Sequence, residues 1–146
     1  MAVRKLTMDD WAELWPLVKG FGTALDEPDT RELYTGLVAD PRWAAFGYDD
    51  NGLIGYAVIQ DYGPHLRAGR HHQARLHDLY VHPDSRHTGA SRALMTAVIT
   101  WASTRVRHLE WQANAQTAAP FYEHLGHQGD PCPQPEYPTF QVHFPN

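Results

Sequence analysis

The sequence predicts an α/β (α+β) fold, in which a mixed central sheet of six or seven strands carries helices on both faces. The first observation is the order of predicted elements, βααβββαβαβ, with one further short strand near His127. The second is Asn51-Gly52 between two β-like runs, a strong signal for an antiparallel hairpin. The third is the strand–helix–strand–helix run of the second half, which implies a parallel crossover. Without a repeat or linker, we expect one domain over residues 1–146.

The chain is predicted to begin with a short strand at residues 2–6, followed by a helix with Thr7 as its N-cap. Asp9 and Asp10 then lie in the first turn, where the helix dipole favours acids. Pro16 interrupts the apolar stripe, so we expect a kinked or split helix. That stripe has helical spacing and consists of Trp11, Leu14, Trp15 and Val18.

The elements after the first helix follow from the same patterns. They are a helix at 28–38, strands at 43–48, 53–60 and 75–82, a helix at 89–104, a strand at 108–112, a helix at 117–125 and a strand at 139–144. Gly126 is the expected C-cap of the last helix. Four prolines between residues 131 and 138 predict a loop.

Composition narrows the class of protein. The chain has 146 residues, of which 42% are apolar and 20% charged, as in an ordinary globular protein. Its net charge of −5 argues against nucleic acid as a main partner, because phosphate binding needs a basic face. A single cysteine excludes an internal disulfide framework. No apolar run reaches the roughly 20 residues needed to span a bilayer. Without a signal-peptide pattern, we expect a cytoplasmic protein with no membrane partner.

The junction between residues 81 and 94 has the pattern of an anion site. A predicted strand runs through a turn into a long helix, and the turn contains Arg86 and Gly89 followed by small residues. Such a junction directs several backbone N–H groups and a positive helix end at one point. A pyrophosphate suits that arrangement, although a strand-turn-helix with one glycine is also common as plain structure.

Two motifs give the chain a family resemblance. Residues 86–91 resemble motif A of the GNAT (Gcn5-related) N-acetyltransferases, whose loop reads Arg/Gln-x-x-Gly-x-Gly/Ala. The preceding Leu-His-Asp-Leu-Tyr-Val-His-Pro resembles the fourth strand of that family. Residues 121–127 resemble its later helix, Phe-Tyr-x-x-x-Gly-Phe. His87 stands where many members have glycine, and Ser91 occupies the last motif position.

The resemblance implies acetyl-CoA as cosubstrate, lying where the fourth and fifth strands splay apart. It implies that strand residues Leu79, Tyr80 and Val81 offer backbone groups to the pantetheine arm and the acetyl carbonyl. It assigns the pyrophosphate to the loop and first helical turn, namely Arg86, His87, Thr88, Gly89, Ala90, Ser91 and Arg92. Asn114 is a further candidate contact, although it lies eight residues before Tyr122, where the family usually has asparagine seven before.

The implied chemistry is direct attack of an amine on a thioester, which needs a base for the ammonium proton and an acid for the leaving thiolate. The resemblance assigns the acid to Tyr122, because a phenol stays protonated at neutral pH. Leu76-His77-Asp78 matches the Leu-Glu-Asp of polyamine and diamine acetyltransferases, so His77 is the candidate base. A structural role remains open for both residues. Strand alternation places Asp78 on the opposite face from His77 unless a bulge intervenes.

The acceptor site is expected between the first two helices and the loop after residue 60. Acids and aromatics there suit a small cationic amine, and we name Phe21, Asp26, Glu27 and Asp61, with Asp29 and Tyr62 beside them. A solvated acidic surface is the alternative. A homodimer also stays open, because members of the family often dimerise.

Two further interpretations compete with the enzyme. The first is a non-catalytic acyl-CoA-binding or sensor protein on the same fold. The second is a metal protein, because the chain has ten histidines, including the adjacent pair His71-His72. Their spacing matches no zinc pattern, so we expect no metal. Cys132 lies in a proline-rich loop, which does not favour a nucleophile.

Overall fold

The computed structural model describes residues 2–67, 69, 72–113, 115–130, 136–138 and 140–145. These residues belong to two compact units, Met1–Trp111 and Gln112–Asn146. The elements are β1 (Ala2–Lys5), α1 (Trp11–Phe21), α2 (Glu27–Ala39), β2 (Trp43–Asp49), β3 (Leu53–Asp61), β4 (Gln73–Val81), α3 (Ala90–Ser103), β5 (His108–Glu110) and α4 (Ala119–His124). Within the described part of the chain, no helix combines the length and apolarity needed to cross a bilayer.

The sheet lies in the first unit and has the strand order β1-β2-β3-β4-β5. Strands β1 to β4 pair antiparallel, and β5 runs parallel to β4, so the predicted mixed sheet is confirmed. The sheet has five strands, and the prediction of six or seven is wrong. Residues 140–145 and His127 are not in strands.

The missing last strand has a physical reason. Phe140, Val142 and Phe144 alternate with polar residues, which is the pattern of a half-buried strand. Their side chains are instead 89%, 75% and 79% exposed. Alternation identifies which face of a strand would be apolar, but a strand also needs a partner edge, and the pattern cannot supply one.

Helices cover both faces of the sheet, as predicted. One face packs against α1 and α2 through a buried cluster of Leu6, Trp11, Leu14, Leu17, Tyr34, Ala45 and Tyr56. The other face packs against α3, whose Leu94, Met95 and Val98 are almost fully buried. The first cluster also contributes side chains to the cavity that forms the candidate site.

The start of α1 is held by a capping box. Thr7 caps a single 3-10 turn, Met8–Asp10, and the side chain of Asp10 accepts from the Thr7 amide at 2.8 Å. Arg4 donates to both carboxylate oxygens of Asp10, at 3.0 and 2.7 Å. The sequence predicts a kinked or split helix at Pro16; α1 continues through Pro16 to Phe21, so it is not split.

Candidate active site

A β-bulge in β4 positions the two polar residues in the middle of that strand. Opposite β3, Val58 pairs with Asp78 and Ile59 pairs with Leu76, which leaves His77 as one extra residue. The extra residue shifts the alternation of side chains, so His77 and Asp78 lie on the same face. Both line one cavity on the α1 and α2 side of the sheet. The sequence predicts Asp78 on the opposite face from His77 unless a bulge intervenes, and the bulge is present.

The cavity measures about 460 Å³ and lies between α1, α2 and strands β2 to β4. Four aromatic rings line it, those of Trp11, Tyr34, Trp43 and Tyr56, together with aliphatic side chains from the helices and β3. A volume of this size is typical of small-molecule sites, which are mostly apolar with a few polar groups. The carboxylates on its wall are Asp40 and Asp78.

Asp78 lies in a poorly solvated part of the wall. Its carboxylate accepts a hydrogen bond from the Tyr56 hydroxyl at 3.2 Å. Burial raises the pKa of Asp78 above its usual value, while the Tyr56 bond and the nearby His77 act in the opposite direction. Burial and the adjacent Asp78 charge also raise the pKa of Tyr56, so this phenol stays a hydrogen-bond donor. The site therefore holds a carboxylate that a cationic ligand would stabilise.

His77 is held by two neighbours on the same face. Its Nε2 lies 2.9 Å from Oε1 of Gln60, and its ring stacks on Trp43 with centroids 5.1 Å apart. In the tautomer that donates from Nε2 to this oxygen, Nδ1 keeps its lone pair. Burial and the positive charge of Arg75 lower the pKa of His77, and Asp78 partly opposes them. The imidazole is therefore neutral at pH 7 and able to accept a proton.

The strand edge next to this wall is open. The His82 amide donates to the carbonyl of Ile54 in β3 at 2.8 Å. Antiparallel partners alternate between bonded and non-bonded pairs, so the backbone groups of Leu79 and Val81 point to the opposite edge of β4. Within the described residues, β5 pairs on that edge with positions 73–75 alone. The strands thus separate beside the two backbone positions expected to hold the cosubstrate.

The loop after β4 presents an uncapped helix N-terminus. Gly89, at φ 89°, precedes α3, and no side chain caps the helix among the described residues. No acid lies in its first turn either, so its N–H groups are available to an anion. His87 adopts φ 66°, the left-handed region that glycine favours, where many family members have glycine. The Arg86 Nε donates to the Val81 carbonyl at 3.2 Å, which ties the loop to the strand end.

Arg86 and Phe21 meet around Tyr80. The Arg86 guanidinium carbon lies 5.7 Å from the centroid of the Tyr80 ring, and Phe21 stacks on the same ring at 5.1 Å. A side chain at Gly20 would come within 2.9 Å of the Tyr80 hydroxyl, so glycine there permits the close approach of α1. The Tyr80 ring therefore connects the loop after β4 with α1.

The acids expected at the acceptor site do not line this cavity. Asp26 accepts from the Asp29 amide at 3.0 Å as the N-cap of α2. Glu27 accepts from Trp11 Nε1 at 2.7 Å. Asp61 is 1% exposed and accepts from the Gly63 amide at 2.8 Å. Tyr62, by contrast, is exposed.

Sequence reasoning missed the residues that do line the cavity, the four aromatic rings and Asp78. They lie on three strands and two helices, and no local motif joins them. The bulge does leave a signal in the sequence. Apolar residues of β4 recur at 74, 76, 79 and 81, and the step of three between Leu76 and Leu79 marks one extra residue.

The second unit contains the predicted acid. Tyr122 lies in α4, where its ring contacts Phe121 edge-on at 5.1 Å. Burial raises its pKa, so the phenol keeps its proton at neutral pH. Asn114 and Cys132 lie outside the described residues, as does His71. Among the residues that the structure describes, no group of three or more His, Cys, Asp or Glu side chains could hold a metal ion.

The comparison with known families decides the identity of this arrangement. The model of the acetyltransferase (GNAT) family matches residues 4–127. The chain belongs to the GNAT acetyltransferase family. It is an acetyl-CoA-dependent N-acetyltransferase, with acetyl-CoA as cosubstrate. No curated protein is significantly similar to it in sequence.

Solved structures of GNAT-like proteins share the fold of this acetyltransferase. A ribosomal-protein-alanine N-acetyltransferase from Brucella melitensis is 21% identical, with a TM-score of 0.73 and coverage of 99% of this chain and 100% of the other. A putative acetyltransferase from Agrobacterium tumefaciens is 17% identical, with a TM-score of 0.79 over 99% and 100% of the chains. AAC(6')-Iy, solved with the bisubstrate analogue CoA-S-monomethyl-acetylneamine, is 17% identical, with a TM-score of 0.74 over 99% and 95%. At these identities the similarity concerns the fold alone.

The residues present fit acetyl-CoA. The uncapped N–H groups at the start of α3 and the neighbouring Arg86 match the charge of a pyrophosphate. The outward backbone groups of Leu79 and Val81 match the amides of a pantetheine arm, which needs partners along an open strand edge. The Val81 carbonyl already accepts from Arg86, so that carbonyl needs its second lone pair or a shift of the Arg86 side chain to bind a ligand.

Proposed function

We propose that this acetyltransferase transfers the acetyl group to a small cationic primary amine bound in the cavity between α1, α2 and the sheet. The observation that supports the proposal is the bulge, because it brings His77 and Asp78 onto one cavity wall, directly before Leu79 on the open edge. A carboxylate there attracts an ammonium group, and an imidazole beside it can take the proton. Aromatic faces on the wall add cation–π attraction.

In the proposed reaction, Nδ1 of His77 accepts a proton from the ammonium and frees the lone pair of the nitrogen. Bound acetyl-CoA supplies a thioester, whose carbonyl carbon the amine attacks, and the new C–N bond forms as the C–S bond breaks. The second proton that the nitrogen loses as the amide forms passes to water, which returns a proton to Tyr122 after the thiolate has taken one. Asp78 holds the incoming cation and stabilises the imidazolium that forms next to it. The lowered pKa of His77 keeps the imidazole neutral, and thus ready to act, at pH 7.

Tyr122 is proposed to donate the proton that the departing thiolate receives. The assignment rests on the family motif at residues 121–127. The raised pKa of Tyr122 is compatible with it, because a donor must stay protonated at the working pH. The match of Leu76-His77-Asp78 to the polyamine and diamine enzymes supports His77 as the base, while the choice of amine depends on the rest of the cavity wall.

The test measures thiol release from acetyl-CoA with an amine present. We expect Tyr122→Phe to lower kcat by about ten- to a thousandfold with little effect on acetyl-CoA binding. His77→Ala should lose most activity at low pH, where unprotonated amine is scarcest, and regain part of it as the pH rises. His77→Gln is the matched control, because it keeps a polar side chain beside Gln60 but no base. A wild-type protein that binds acetyl-CoA without amine-dependent thiol release would be a sensor, and the proposal would fail.

A further inference from the structure

We propose that the acceptor carries one ammonium group on an apolar, ring-sized body, and that polyamines are poor acceptors. The inference rests on the proposed function and names its substrate class. It follows from what the wall of the 460 Å³ cavity offers to a ligand.

Three of the four aromatic rings of the cavity, those of Trp11, Tyr34 and Tyr56, offer their faces rather than their polar atoms. Trp11 Nε1 donates to Glu27 at 2.7 Å, and the Tyr34 hydroxyl donates to the Thr7 carbonyl at 2.7 Å. The Tyr56 hydroxyl donates to Asp78. Their hydrogens are thus already used, and a ligand meets apolar surface over most of the wall.

The two carboxylates on the wall differ in what they can still bind. Asp40 accepts from the Arg42 amide at 2.9 Å, and its Oδ1 lies 3.7 Å from the Arg42 guanidinium, so an ammonium at Asp40 would compete with Arg42. Asp78 makes no ion pair with lysine or arginine within the described part of the chain, and its hydrogen-bond donor is neutral. One ammonium therefore finds a counter-charge, at Asp78.

The position of Asp78 also determines which nitrogen reacts. Asp78 directly precedes Leu79, whose backbone groups point to the open edge where the cosubstrate is expected. His77, the proposed base, lies on the same wall as Asp78. The nitrogen held by Asp78 is thus the one beside the base, and no second amine is needed to anchor the ligand.

A second ammonium in this cavity would have to share Asp40 with Arg42 or remain unpaired. Away from Asp40 it would lie against Leu37, Val58 or the rings, and burying an unpaired charge against such a surface is costly. An apolar ring in the same place gains from burial and from contact with Trp11 and Tyr34. The wall therefore selects for an apolar body and against a polyamine chain.

The experiment compares kcat/KM for four amines at saturating acetyl-CoA: phenethylamine, propylamine, putrescine and spermidine. Propylamine is the matched control, because it has the same ammonium without the ring. We expect phenethylamine to exceed each of the others by at least about tenfold, the scale on which an apolar pocket discriminates. Preference for putrescine or spermidine would overturn the inference and leave the proposed function standing. Transfer to none of the amines would overturn both.

Two variants locate the selection in the cavity. Leu33 lines the rim and is 63% exposed, so Leu33→Asp adds a carboxylate without disturbing the core. We expect it to raise kcat/KM for putrescine relative to phenethylamine by at least about threefold, and Leu33→Asn to leave the ratio unchanged. Asp78→Asn should weaken phenethylamine binding at least about tenfold. It should change inhibition by uncharged phenethyl alcohol less than about twofold. Equal weakening of amine and alcohol would contradict a charge-based role for Asp78.

Discussion

Asp10 and Asp78 are two shielded carboxylates of the first unit whose pKa values shift in opposite directions. Asp10 receives two hydrogen bonds from Arg4 and one from the Thr7 amide, and these lower its pKa despite burial. Asp78 receives one bond from the neutral Tyr56, and burial raises its pKa. The difference comes from both partners and burial, because the Arg4 hydrogen bonds have the largest effect on the pKa of Asp10 and desolvation has the largest effect on that of Asp78.

The contrast separates a structural carboxylate from a ligand-binding one. Every favourable partner of Asp10 is part of the chain, so its charge stabilises the fold on its own. The charge of Asp78 is desolvated, and no cation among the described residues offsets that cost. Proteins retain such a costly carboxylate where a bound ligand supplies the opposite charge. Perturbed carboxylates at cavity walls are candidates for function for this reason, and the following predictions test whether the distinction holds.

The largest expected effect is on acetyl transfer. Asp78→Asn should lower kcat/KM for the amine by about 30- to 1,000-fold, because removing one partner of a shielded charge pair costs about 2–4 kcal/mol. Asp10→Asn should change kcat/KM less than threefold while the protein remains folded. The measurement is thiol release under steady-state conditions, with folding checked by circular dichroism. A similar loss in both variants would show that activity follows stability rather than the charge at Asp78.

The next effect is on stability, where the two variants should move in opposite directions. Asp10→Asn loses charge-assisted hydrogen bonds and should lower the free energy of unfolding by about 1–2 kcal/mol, a range reduced because Arg4 is partly exposed. Asp78→Asn removes a desolvated charge but keeps the contact with Tyr56. We expect it to raise stability by up to about 1 kcal/mol. Urea denaturation with an unchanged m-value measures both, and a destabilised Asp78→Asn would assign Asp78 to the structural class.

How far the sequence predicts these roles differs between the two residues. Asp10 belongs to a local motif, Thr7-x-x-Asp10, and the predicted cap at Thr7 is confirmed. The face of Asp78 depends on the register between β3 and β4. Alternation alone places Asp78 opposite His77, and the bulge that the prediction named as an exception brings the two together. The step of three between Leu76 and Leu79 indicated the bulge, but neighbouring side chains on one wall are visible only once strands are paired.

In the fold as well, local sequence patterns predict the elements that depend on neighbouring residues and fail for those that depend on distant ones. The hairpin at Asn51-Gly52, the helix after Gly89 and the order of elements through β5 are confirmed, because each depends on turn residues or local periodicity. The strand at 139–144 fails, because pairing depends on a distant edge. The acids near the start of α2 were predicted to bind the acceptor amine because acids and aromatics are concentrated there. Their hydrogen-bond partners in the structure depend on packing, which composition does not reveal.

The pH dependence of stability offers a smaller effect with opposite signs. The folded-state pKa of Asp10 is below its usual 3.8, so its contribution is fully present above that pH and is lost as the pH falls through the lower value. The folded-state pKa of Asp78 is above 3.8, so its cost is absent below that pH and grows as the pH rises through the higher value. Unfolding free energies between about pH 3 and about pH 7 should therefore show the wild-type advantage over Asp10→Asn shrinking towards low pH. The unfolding free energy by which the wild type falls short of Asp78→Asn should also shrink towards low pH. If the curves of unfolding free energy against pH run parallel for the wild type and both variants, both assignments are contradicted.

The smallest expected effect is at Asp26, a third carboxylate, whose partner is purely local. Its Oδ1 accepts from the Asp29 amide at 3.0 Å and caps α2. Asp26→Ala should therefore lower the unfolding free energy by about 1 kcal/mol, whereas Asp26→Asn, which also caps well, should stay within a few tenths. The same pair tests the expectation from the sequence that Asp26 attracts the amine. If capping is its whole role, KM for the amine stays within about twofold in Asp26→Asn, because the variant removes the charge and keeps the cap. A KM several times higher in this stable variant would return Asp26 to the acceptor site, as a long-range attractor outside the cavity wall.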